Sequence, residues 1–281
     1  VNKIKTTREH PFFFSGYKLP KNIEIIDNYD EIIWKIDLLI IAIPTQFISQ
    51  TIKNIQNKLK SGVVILNLAK WIDIKSNKTI SQLIAINLKW INYTYSILSW
   101  WMIASEVVKG KKLWADLWII LSNSSNNIWH KIQKLLENDN FKVKLRKDIL
   151  NIELYGSLKN IMAILVGYYE WQWLEKSSIW YYLLDFYNEM KDIIKLYGWN
   201  PKLDFSYYSL WWDIIATCFW NSRNRYFGQL LWKGKTCFEV LGILKKENKH
   251  PEGYETLKAV YNLVEKKKGF ENIKFLYELI K

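Results

Sequence analysis

Residues 36–69 read IDLLIIAIPTQFISQTIKNIQNKLKSGVVILNLA, and their apolar pattern indicates the class of fold. It opens with the apolar run 36–44 and closes with a second apolar run, 62–69, both rich in aliphatic residues. Continuous apolar runs of this kind are typical of strands that are buried on both faces. The intervening segment, 47–60, spaces its apolar residues three and four positions apart, which predicts an amphipathic helix. Strand, helix and strand in this order predict two parallel strands joined by a crossover helix.

The same alternation continues outward to about residue 145. The runs YTYSILS, ADLWIILS and FKVKL predict further strands, and NNIWHKIQKLLEND has the apolar spacing of a helix. The pattern predicts an α/β domain with a doubly wound parallel sheet, in which ligands bind beyond the carboxyl ends of the strands. Residues 44–46 and 69–70 would lie at that edge of the sheet.

After Asp148 the segments keep helical spacing and contain no clear strands. We therefore predict two domains, a nucleotide-binding sheet domain over 1–148 and an all-helical domain over 149–281. The Gly-x-Gly-x-x-Gly turn expected at the start of a dinucleotide-binding sheet is missing from the sequence, which begins with polar residues.

Composition excludes several classes of protein. With 49% hydrophobic and 24% charged residues the chain is globular rather than disordered. Its apolar runs are far shorter than the roughly 20 residues that cross a bilayer, and no signal segment is visible, so we predict no membrane insertion and a cytoplasmic location. Two cysteines, Cys218 and Cys237, and three scattered histidines fit no metal-ligand spacing, so no metal site is predicted.

The net charge of +13 favours an anionic partner, such as a phosphorylated metabolite, a nucleotide, nucleic acid or a membrane surface. The lysines are spread along the chain and form no basic stripe with interleaved aromatic residues. We therefore predict that nucleic acid is not a partner.

A set of motifs along almost the whole chain resembles a known family. These motifs are YKLPKNI, IDLLIIAIPTQ, NLAKWID, LSWWMIASEV, ELYGSLKNIMAI, WWDIIATCFWNSRNRYFG and PEGYETLKAVY. In order and in spacing they resemble the bacterial-type NAD(P)-dependent glycerol-3-phosphate dehydrogenases. The resemblance implies a Rossmann-like domain that lacks its first βαβ part, followed by a helical domain like that of 6-phosphogluconate dehydrogenase.

The family's activity follows as an expectation. The resemblance implies reversible hydride transfer between sn-glycerol 3-phosphate and dihydroxyacetone phosphate, with NAD or NADP as cofactor and a product that feeds glycerophospholipid synthesis. It also implies a small phosphorylated substrate as partner and a homodimer. The missing first strand, glycine-rich turn and helix suggest an N-terminal truncation relative to the family.

Tryptophan is unusually abundant, with 16 residues against 11 glycines. Where the family carries glycine, this chain carries tryptophan at seven positions: Trp71, Trp100, Trp171, Trp173, Trp199, Trp212 and Trp232. Glycine at such places permits positive φ or a close approach to the backbone, and tryptophan permits neither. Our hypothesis is that these are UGA codons, read as glycine in the source organism and written here as tryptophan.

The resemblance assigns the substrate site residue by residue. Lys159 is the catalytic proton acceptor and also contacts substrate; a partly desolvated lysine can be tuned toward the neutral form that such a base requires. Asp213 bonds the substrate hydroxyl groups. The remaining substrate contacts are assigned to Lys70, Trp100, Met102, Ser222, Arg223 and Asn224. Met102 departs from the family because it lacks the hydroxyl group usual at its position.

The cofactor contacts are assigned to Lys70, Ala104, Arg223, His250 and Glu252. Lys70 would bridge cofactor and substrate, and Arg223 would be shared between them. His250 stands where the family usually has an aliphatic residue. The residue that separates NAD from NADP preference falls in the segment that the chain lacks.

Two other functions remain open at the level of sequence. One is a different two-domain dehydrogenase that acts on a hydroxy acid, against which the SRNR motif and Asp213 both argue. The other is a non-catalytic, basic, tryptophan-rich binding protein or an inactive fragment, which would keep indoles at the seven glycine positions.

Overall fold

The structure is a computed structural model, and it describes residues 2–12, 14–69, 72–73, 76–100, 107–119, 126–147, 149–170, 176–199 and 208–281. A short helix, α1 (Asn2–Thr7), and a 3-10 turn at Tyr29–Glu31 precede the sheet and bury none of their residues.

The N-terminal part of the chain forms the predicted layered α/β structure. Its strands are β1 (Leu38–Ile41), β2 (Val63–Asn67), β3 (Ile72–Asp73), β4 (Lys78–Thr79), β5 (Tyr93–Trp100), β6 (Leu113–Ile119) and β7 (Phe141–Lys147). Its helices are α2 (Thr45–Ile55), α3 (Ile80–Asn87) and α4 (Asn126–Leu136). One sheet has the strand order β1-β2-β5-β6-β7, and β3 pairs with β4 in a small second sheet.

The prediction of a parallel sheet needs one correction. β1, β2 and β5 are parallel, as are β6 and β7, but β5 and β6 run antiparallel, with Trp100 opposite Ala115. Residues 101–112 join β5 to β6, and antiparallel neighbours, unlike parallel ones, need no crossover helix between them. The sheet is therefore mixed, and its reversed pair places the start of β6 beside the end of β5.

The C-terminal part is helical, as predicted. Its helices are α5 (Ile149–Glu170), α6 (Lys176–Leu196), α7 (Tyr208–Phe219), α8 (Arg223–Trp232), α9 (Cys237–Lys246), α10 (Glu252–Val264) and α11 (Glu271–Ile280). α5 is the central helix, and residues 151–167 are buried along its whole circumference. A helix that is apolar and buried all round lies in a core, packed on several sides. The predicted division at 148/149 remains a prediction; β7 ends at Lys147 and α5 begins at Ile149.

Three glycines let the helices around α5 approach it at backbone distance. A Cβ atom at Gly167 would overlap the Arg225 carbonyl of α8, and one at Gly228 would overlap the Ile164 carbonyl of α5. A Cβ atom at Gly253 of α10 would overlap the backbone of Asn160. Because only glycine fits at these contacts, they fix the starts of α8 and α10 against α5.

A buried carboxylate joins the helical part to the sheet. Glu153 of α5 accepts hydrogen bonds from the Ser81 backbone N–H (3.0 Å), the Ser81 hydroxyl and the Tyr95 hydroxyl (2.9 Å). Ser81 lies in the first turn of α3, so the carboxylate also lies at the positive end of that helix. α5 is thereby held against both α3 and β5.

Candidate active site

A cavity of about 920 Å³ lies between the sheet and the helices. Its wall comes from the start of β6 and from α5, α7, α8 and α10. The lining residues are Lys112, Leu113, Trp114, Lys159, Asn160, Trp212, Asp213, Ala216, Thr217, Phe219, Trp220, Asn221, Ser222, Arg223, Asn224 and Glu252. A concave site at the carboxyl edge of an α/β sheet is where ligands of this class bind.

The cavity wall contains a buried lysine ion pair. Lys159 of α5 is buried, and its ammonium donates to the Asp213 carboxylate of α7 and, at 2.9 Å, to the Thr217 hydroxyl. Thr217 donates in turn to the Asp213 carbonyl oxygen at 2.5 Å. Asp213 and Thr217 are four residues apart, so they share one face of α7 and hold the ammonium between them.

Cys218 adjoins this pair but is not a second reactive group. Burial raises the pKa of its thiol to about 12, an effect that the nearby Lys159 and Arg225 charges oppose and the Asp213 charge adds to. The nucleophilic form of cysteine is the thiolate, so the Cys218 thiol stays protonated and inert near neutral pH.

Two buried amides connect the three helices beside the ion pair. The Gly253 backbone N–H donates to Asn224 Oδ1 at 2.8 Å, and Asn224 Nδ2 donates to Asn160 Oδ1 at 3.0 Å. Asn160 Nδ2 is buried and has no hydrogen-bond partner among the described residues. Since an unmet buried donor costs free energy, this N–H group is suited to an oxygen of a bound ligand.

The first turn of α8 forms the outer wall of the cavity. The Ser222 hydroxyl caps the helix by accepting from the Arg225 backbone N–H at 3.4 Å. Arg223, next in sequence, pairs with Glu252 of α10 through Nη2 and Oε1 at 2.9 Å. A helix N-terminus with a guanidinium group and a serine hydroxyl beside it favours an anion.

The structure brings most of the predicted substrate residues together. Six of the residues predicted for substrate or cofactor line the cavity: Lys159, Asp213, Ser222, Arg223, Asn224 and Glu252. Lys70, Met102 and Ala104 lie outside the described residues, and of Trp100 only the backbone, at the end of β5, is described. His250 is exposed and is not among the described residues that line the cavity, so its predicted cofactor role remains a prediction.

Sequence reasoning missed several residues of the cavity wall, among them Thr217, Asn160, Lys112 and Trp114. Thr217 could have been found, because it lies one helical turn after Asp213. Asn160 follows Lys159 directly, yet nothing in the sequence indicates that its amide is buried at the site. Lys112 and Trp114 reach the cavity only because β6 reverses direction, which the predicted all-parallel sheet did not allow.

The tryptophans at family glycine positions are only partly described. Trp71, Trp171 and Trp173 lie outside the described residues. Trp212 lines the cavity next to Asp213 and contacts Trp220 edge-to-face, with ring centroids 4.9 Å apart. The Trp212 and Trp220 indoles thus stand at the wall of the cavity, whereas Trp199 and Trp232, which are also described, do not line it. The origin of the seven tryptophans as recoded glycines remains a hypothesis.

Within the described residues, no helix is long and apolar enough to cross a membrane, and no group of three or more metal-binding side chains is found.

Comparison with known proteins identifies the family. The model of the NAD-dependent glycerol-3-phosphate dehydrogenase N-terminus matches residues 1–148, and the model of the C-terminus of the same family matches residues 148–281. A relative from Clostridium perfringens strain SM101, named glycerol-3-phosphate dehydrogenase [NAD(P)+], is 28% identical over 267 residues, which are 95% of this chain and 78% of the relative. A relative of the same name from Chlorobium limicola is 26% identical, over 96% of this chain and 79% of its own length.

Solved structures support the same fold. The glycerol-3-phosphate dehydrogenase of Plasmodium falciparum superposes with a TM-score of 0.87 at 24% identity, covering 99% of this chain and 78% of its own. That of Coxiella burnetii gives a TM-score of 0.80 at 18% identity, with coverages of 99% and 88%. The two matching family models, which together span the sheet, the helices and the cavity between them, confirm the resemblance seen in the sequence: this chain belongs to the NAD-dependent glycerol-3-phosphate dehydrogenase family.

Proposed function

We propose that this chain interconverts sn-glycerol 3-phosphate and dihydroxyacetone phosphate by hydride transfer with NAD or NADP, and that the reaction takes place in the cavity. The single observation that carries the proposal is the placement of Lys159. It is buried and bonded to Asp213 and Thr217, and it shares a cavity with Arg223 and Asn224. A proton donor for a carbonyl oxygen and a binding group for a phosphate are thus held in one site.

Lys159 moves the proton of the reaction. When the ketone is reduced, its carbonyl carbon receives the hydride and its oxygen takes a proton from the Lys159 ammonium. In the reverse direction the neutral amine takes the hydroxyl proton as the hydride departs. Asp213 stabilises the ammonium form, and Thr217 fixes the position of Nζ through its hydrogen bond to Lys159.

The first turn of α8 binds the substrate phosphate. Arg223 offers a guanidinium fork, Ser222 a hydroxyl, and Asn224 an amide of which one N–H group donates to Asn160. The N-terminal end of α8 adds the favourable field of its helix dipole. Asn160 lines the same cavity, and its Nδ2 donor, which has no partner among the described residues, would meet one oxygen of the ligand.

The residues of the outer wall fit a nicotinamide dinucleotide. The Glu252 carboxylate can accept from ribose hydroxyl groups, and Arg223 can donate to phosphate oxygens, so the two chemistries that such a cofactor needs are side by side. When bound, NAD or NADP accepts or supplies the hydride. Arg223 is then shared between cofactor and substrate, and its exposed pair with Glu252 can be exchanged for their phosphate oxygens.

We extend the proposal to the setting of the enzyme. The small phosphorylated substrate is its partner, the location is cytoplasmic, and the product supplies glycerophospholipid synthesis. A homodimer is proposed because α6 presents Trp180, Tyr181 and Leu184 to solvent, an apolar surface of the kind that subunits cover. Light scattering on the purified protein measures its mass in solution. A monomer would contradict the proposed homodimer but not the proposed activity.

An assay of the purified chain tests the activity. Oxidation of reduced NAD or NADP is followed with dihydroxyacetone phosphate as substrate, and with 2-keto acids as controls for the alternative hydroxy-acid dehydrogenase. We expect turnover of the phosphorylated ketone that disappears in Lys159→Met. Turnover of a keto acid alone, or equal turnover by the Lys159→Met variant, would contradict the proposal.

A further inference from the structure

The SRNR motif contains two arginines, and the structure places them in different environments. Arg223 lines the cavity and is about half exposed. Arg225 lies two residues further along the same first turn of α8, but it is not among the described residues that line the cavity. The two side chains therefore cannot have the same role, although the sequence presents them as a pair.

All three nitrogens of the Arg225 guanidinium group have partners inside the protein. Nε and Nη2 donate to the two oxygens of Glu170, at 2.8 Å and 2.6 Å, in a bidentate fork. Nη1 donates to the Trp220 carbonyl oxygen at 3.2 Å. A bidentate arginine–carboxylate pair holds both orientation and distance, which a single point charge does not.

Glu170 is the last residue of α5, so this fork ties the start of α8 to the end of the central helix. Gln229 adds a third hydrogen bond from α8 to the same carboxylate, at 3.1 Å. The backbone is fixed at the same point, because the Arg225 carbonyl lies directly against Gly167, where no Cβ would fit.

The Trp220 carbonyl oxygen is the link to the site. It accepts from Arg225 Nη1 and also from the Ser222 backbone N–H, at 2.7 Å. Arg225 thus holds the turn 220–222, which sets where Ser222 caps α8 and where Arg223 and Asn224 enter the cavity.

We propose that Arg225 is a positioning residue for the phosphate site, anchored by Glu170. It does not touch the substrate; it fixes the turn 220–222 and the first turn of α8, so that Ser222, Arg223 and Asn224 meet the phosphate group without rearrangement. This inference rests on the proposed function, which assigns the phosphate to that turn.

A purely structural ion pair would behave differently. Loss of a structural pair lowers stability and therefore the amount of folded enzyme, which lowers the apparent kcat without raising KM. Loss of a positioning residue weakens recognition of the phosphate group and leaves the chemistry at Lys159 intact, so it separates KM from kcat.

The test compares Arg225→Lys with Arg146→Lys. Arg146 pairs with Asp116 in the sheet at 3.2 Å, and its side chain is 21% exposed against 20% for Arg225, so it is a matched control outside the cavity. Both substitutions keep a positive charge at the position and remove the planar guanidinium group. The measurements are kcat and KM for dihydroxyacetone phosphate, turnover of dihydroxyacetone, which lacks the phosphate, and calorimetric titration with inorganic phosphate.

For Arg225→Lys we expect KM and the phosphate Kd to rise about tenfold, since a small misplacement of a binding group is costly. We expect kcat and dihydroxyacetone turnover to stay unchanged, and Arg146→Lys to match the wild type throughout. An unchanged KM and phosphate Kd, or an equal loss with the phosphate-free substrate, would overturn the proposal.

A second variant and the phosphate titration keep the two proposals separable. If Arg225→Lys fails to fold, Glu170→Gln loosens the same fork while keeping one acceptor, and it should raise the phosphate Kd by a smaller factor. If the wild type does not reduce dihydroxyacetone phosphate, the proposed function fails. The phosphate Kd of the variants against wild type still decides the role of Arg225.

Discussion

The cavity contains two ion pairs that differ in exposure and in consequence. The side chains of Lys159 and Asp213 are 8% and 13% exposed, whereas those of Arg223 and Glu252 are 48% and 25% exposed. The inner pair is held further by Thr217, while the outer pair spans two helix starts at the cavity mouth. Screening by water is weak at the first pair and strong at the second.

This difference separates two tasks. In a buried pair, neither charge could be hydrated if the two separated, so the pair keeps its geometry. The lysine is thereby held in position for proton transfer. An exposed pair is worth little by itself, so its arginine can exchange the carboxylate for a phosphate at small cost. Under the proposed function, chemistry is therefore assigned to the inner pair and anion binding to the outer pair.

Lys159→Met should have the largest effect. Methionine keeps the apolar length of lysine and removes the proton donor, so kcat should fall about a thousandfold, within the range typical of general acid–base groups. Phosphate binding, which the outer pair provides, should change little. Steady-state kinetics and phosphate titration measure the two quantities, with Lys195→Met on the exposed face of α6 as control. A variant that retained kcat would remove Lys159 from the chemistry.

Arg223→Ala should come second and act on binding. Hydrogen bonds to charged groups contribute about 2 kcal/mol, so KM for dihydroxyacetone phosphate should rise about 30-fold with kcat nearly unchanged. The same kinetic series measures this effect, and Arg146→Ala is the control because Arg146 does not line the described cavity. A fall in kcat as large as the rise in KM would assign Arg223 to the chemistry and abolish the distinction between the two pairs.

Trp212→Gly should increase activity several-fold. Trp212 lines the cavity next to Asp213, and an indole at a position where the family has glycine narrows the cavity. Removing an overpacked side chain relieves strain, although glycine costs about 1 kcal/mol in a helix. The control is Trp90→Gly, since Trp90 is exposed and distant from the wall. Lower activity of Trp212→Gly would contradict the glycine hypothesis, and the gene's codons at the seven positions test it independently.

Glu252→Gln should have a small effect on the outer pair. Removing the competing charge releases Arg223, so the Kd for inorganic phosphate should fall by about two- to threefold, as expected for a half-exposed pair. The gain should shrink as salt is added, because salt screens exposed charges. Titrations at low and high ionic strength measure both effects. If the gain in phosphate affinity did not depend on salt, Arg223 would not be exchanging the Glu252 carboxylate for phosphate.

Glu153 differs from the carboxylates of both ion pairs, because its buried carboxylate has no cationic partner among the described residues. Burial raises its pKa, against the lowering effect of the Ser81 and Tyr95 hydrogen bonds. With the pKa higher in the folded than in the unfolded chain, the folded chain holds the proton more tightly. Its contribution to stability is therefore fully present at acid pH and is lost as the pH rises through the folded pKa.

Glu153→Gln should remove this pH dependence with little loss of structure. The glutamine oxygen can accept from Ser81 N–H and Tyr95, and its amide can donate to the Ser81 hydroxyl. Urea unfolding at several pH values measures the difference in free energy of unfolding between wild type and variant. As the pH rises, the variant should gain stability relative to the wild type. If the free energies of unfolding of the two proteins stayed parallel with pH, Glu153 would not be the source of the pH dependence.

The sequence predicted the parts of the structure whose signal is local. The strands and helices of residues 36–69 follow from apolar spacing, and Lys159, Asp213 and Arg223 follow from motifs. What could not be predicted depends on contacts between distant segments. The antiparallel pairing of β5 and β6, the β3–β4 pair and the approach of α8 to α5 at Gly167 are of this kind.

The roles of the two arginines illustrate the same limit. In sequence, Arg223 and Arg225 are equivalent basic residues of one motif. Their difference arises because Glu170, 55 positions before Arg225, lies at the end of α5 where it can take the guanidinium fork. No local pattern carries that information.

If chemistry and phosphate recognition reside in separate ion pairs, two substrates that differ only in the phosphate group will distinguish the pairs. Turnover of dihydroxyacetone phosphate and of dihydroxyacetone is compared for wild type, Lys159→Met and Arg223→Ala. The account predicts that Lys159→Met loses kcat/KM for both substrates by similar factors, whereas Arg223→Ala loses it only for the phosphorylated one. If both variants lost activity equally on both substrates, the two pairs would be acting as one unit and the account would be wrong.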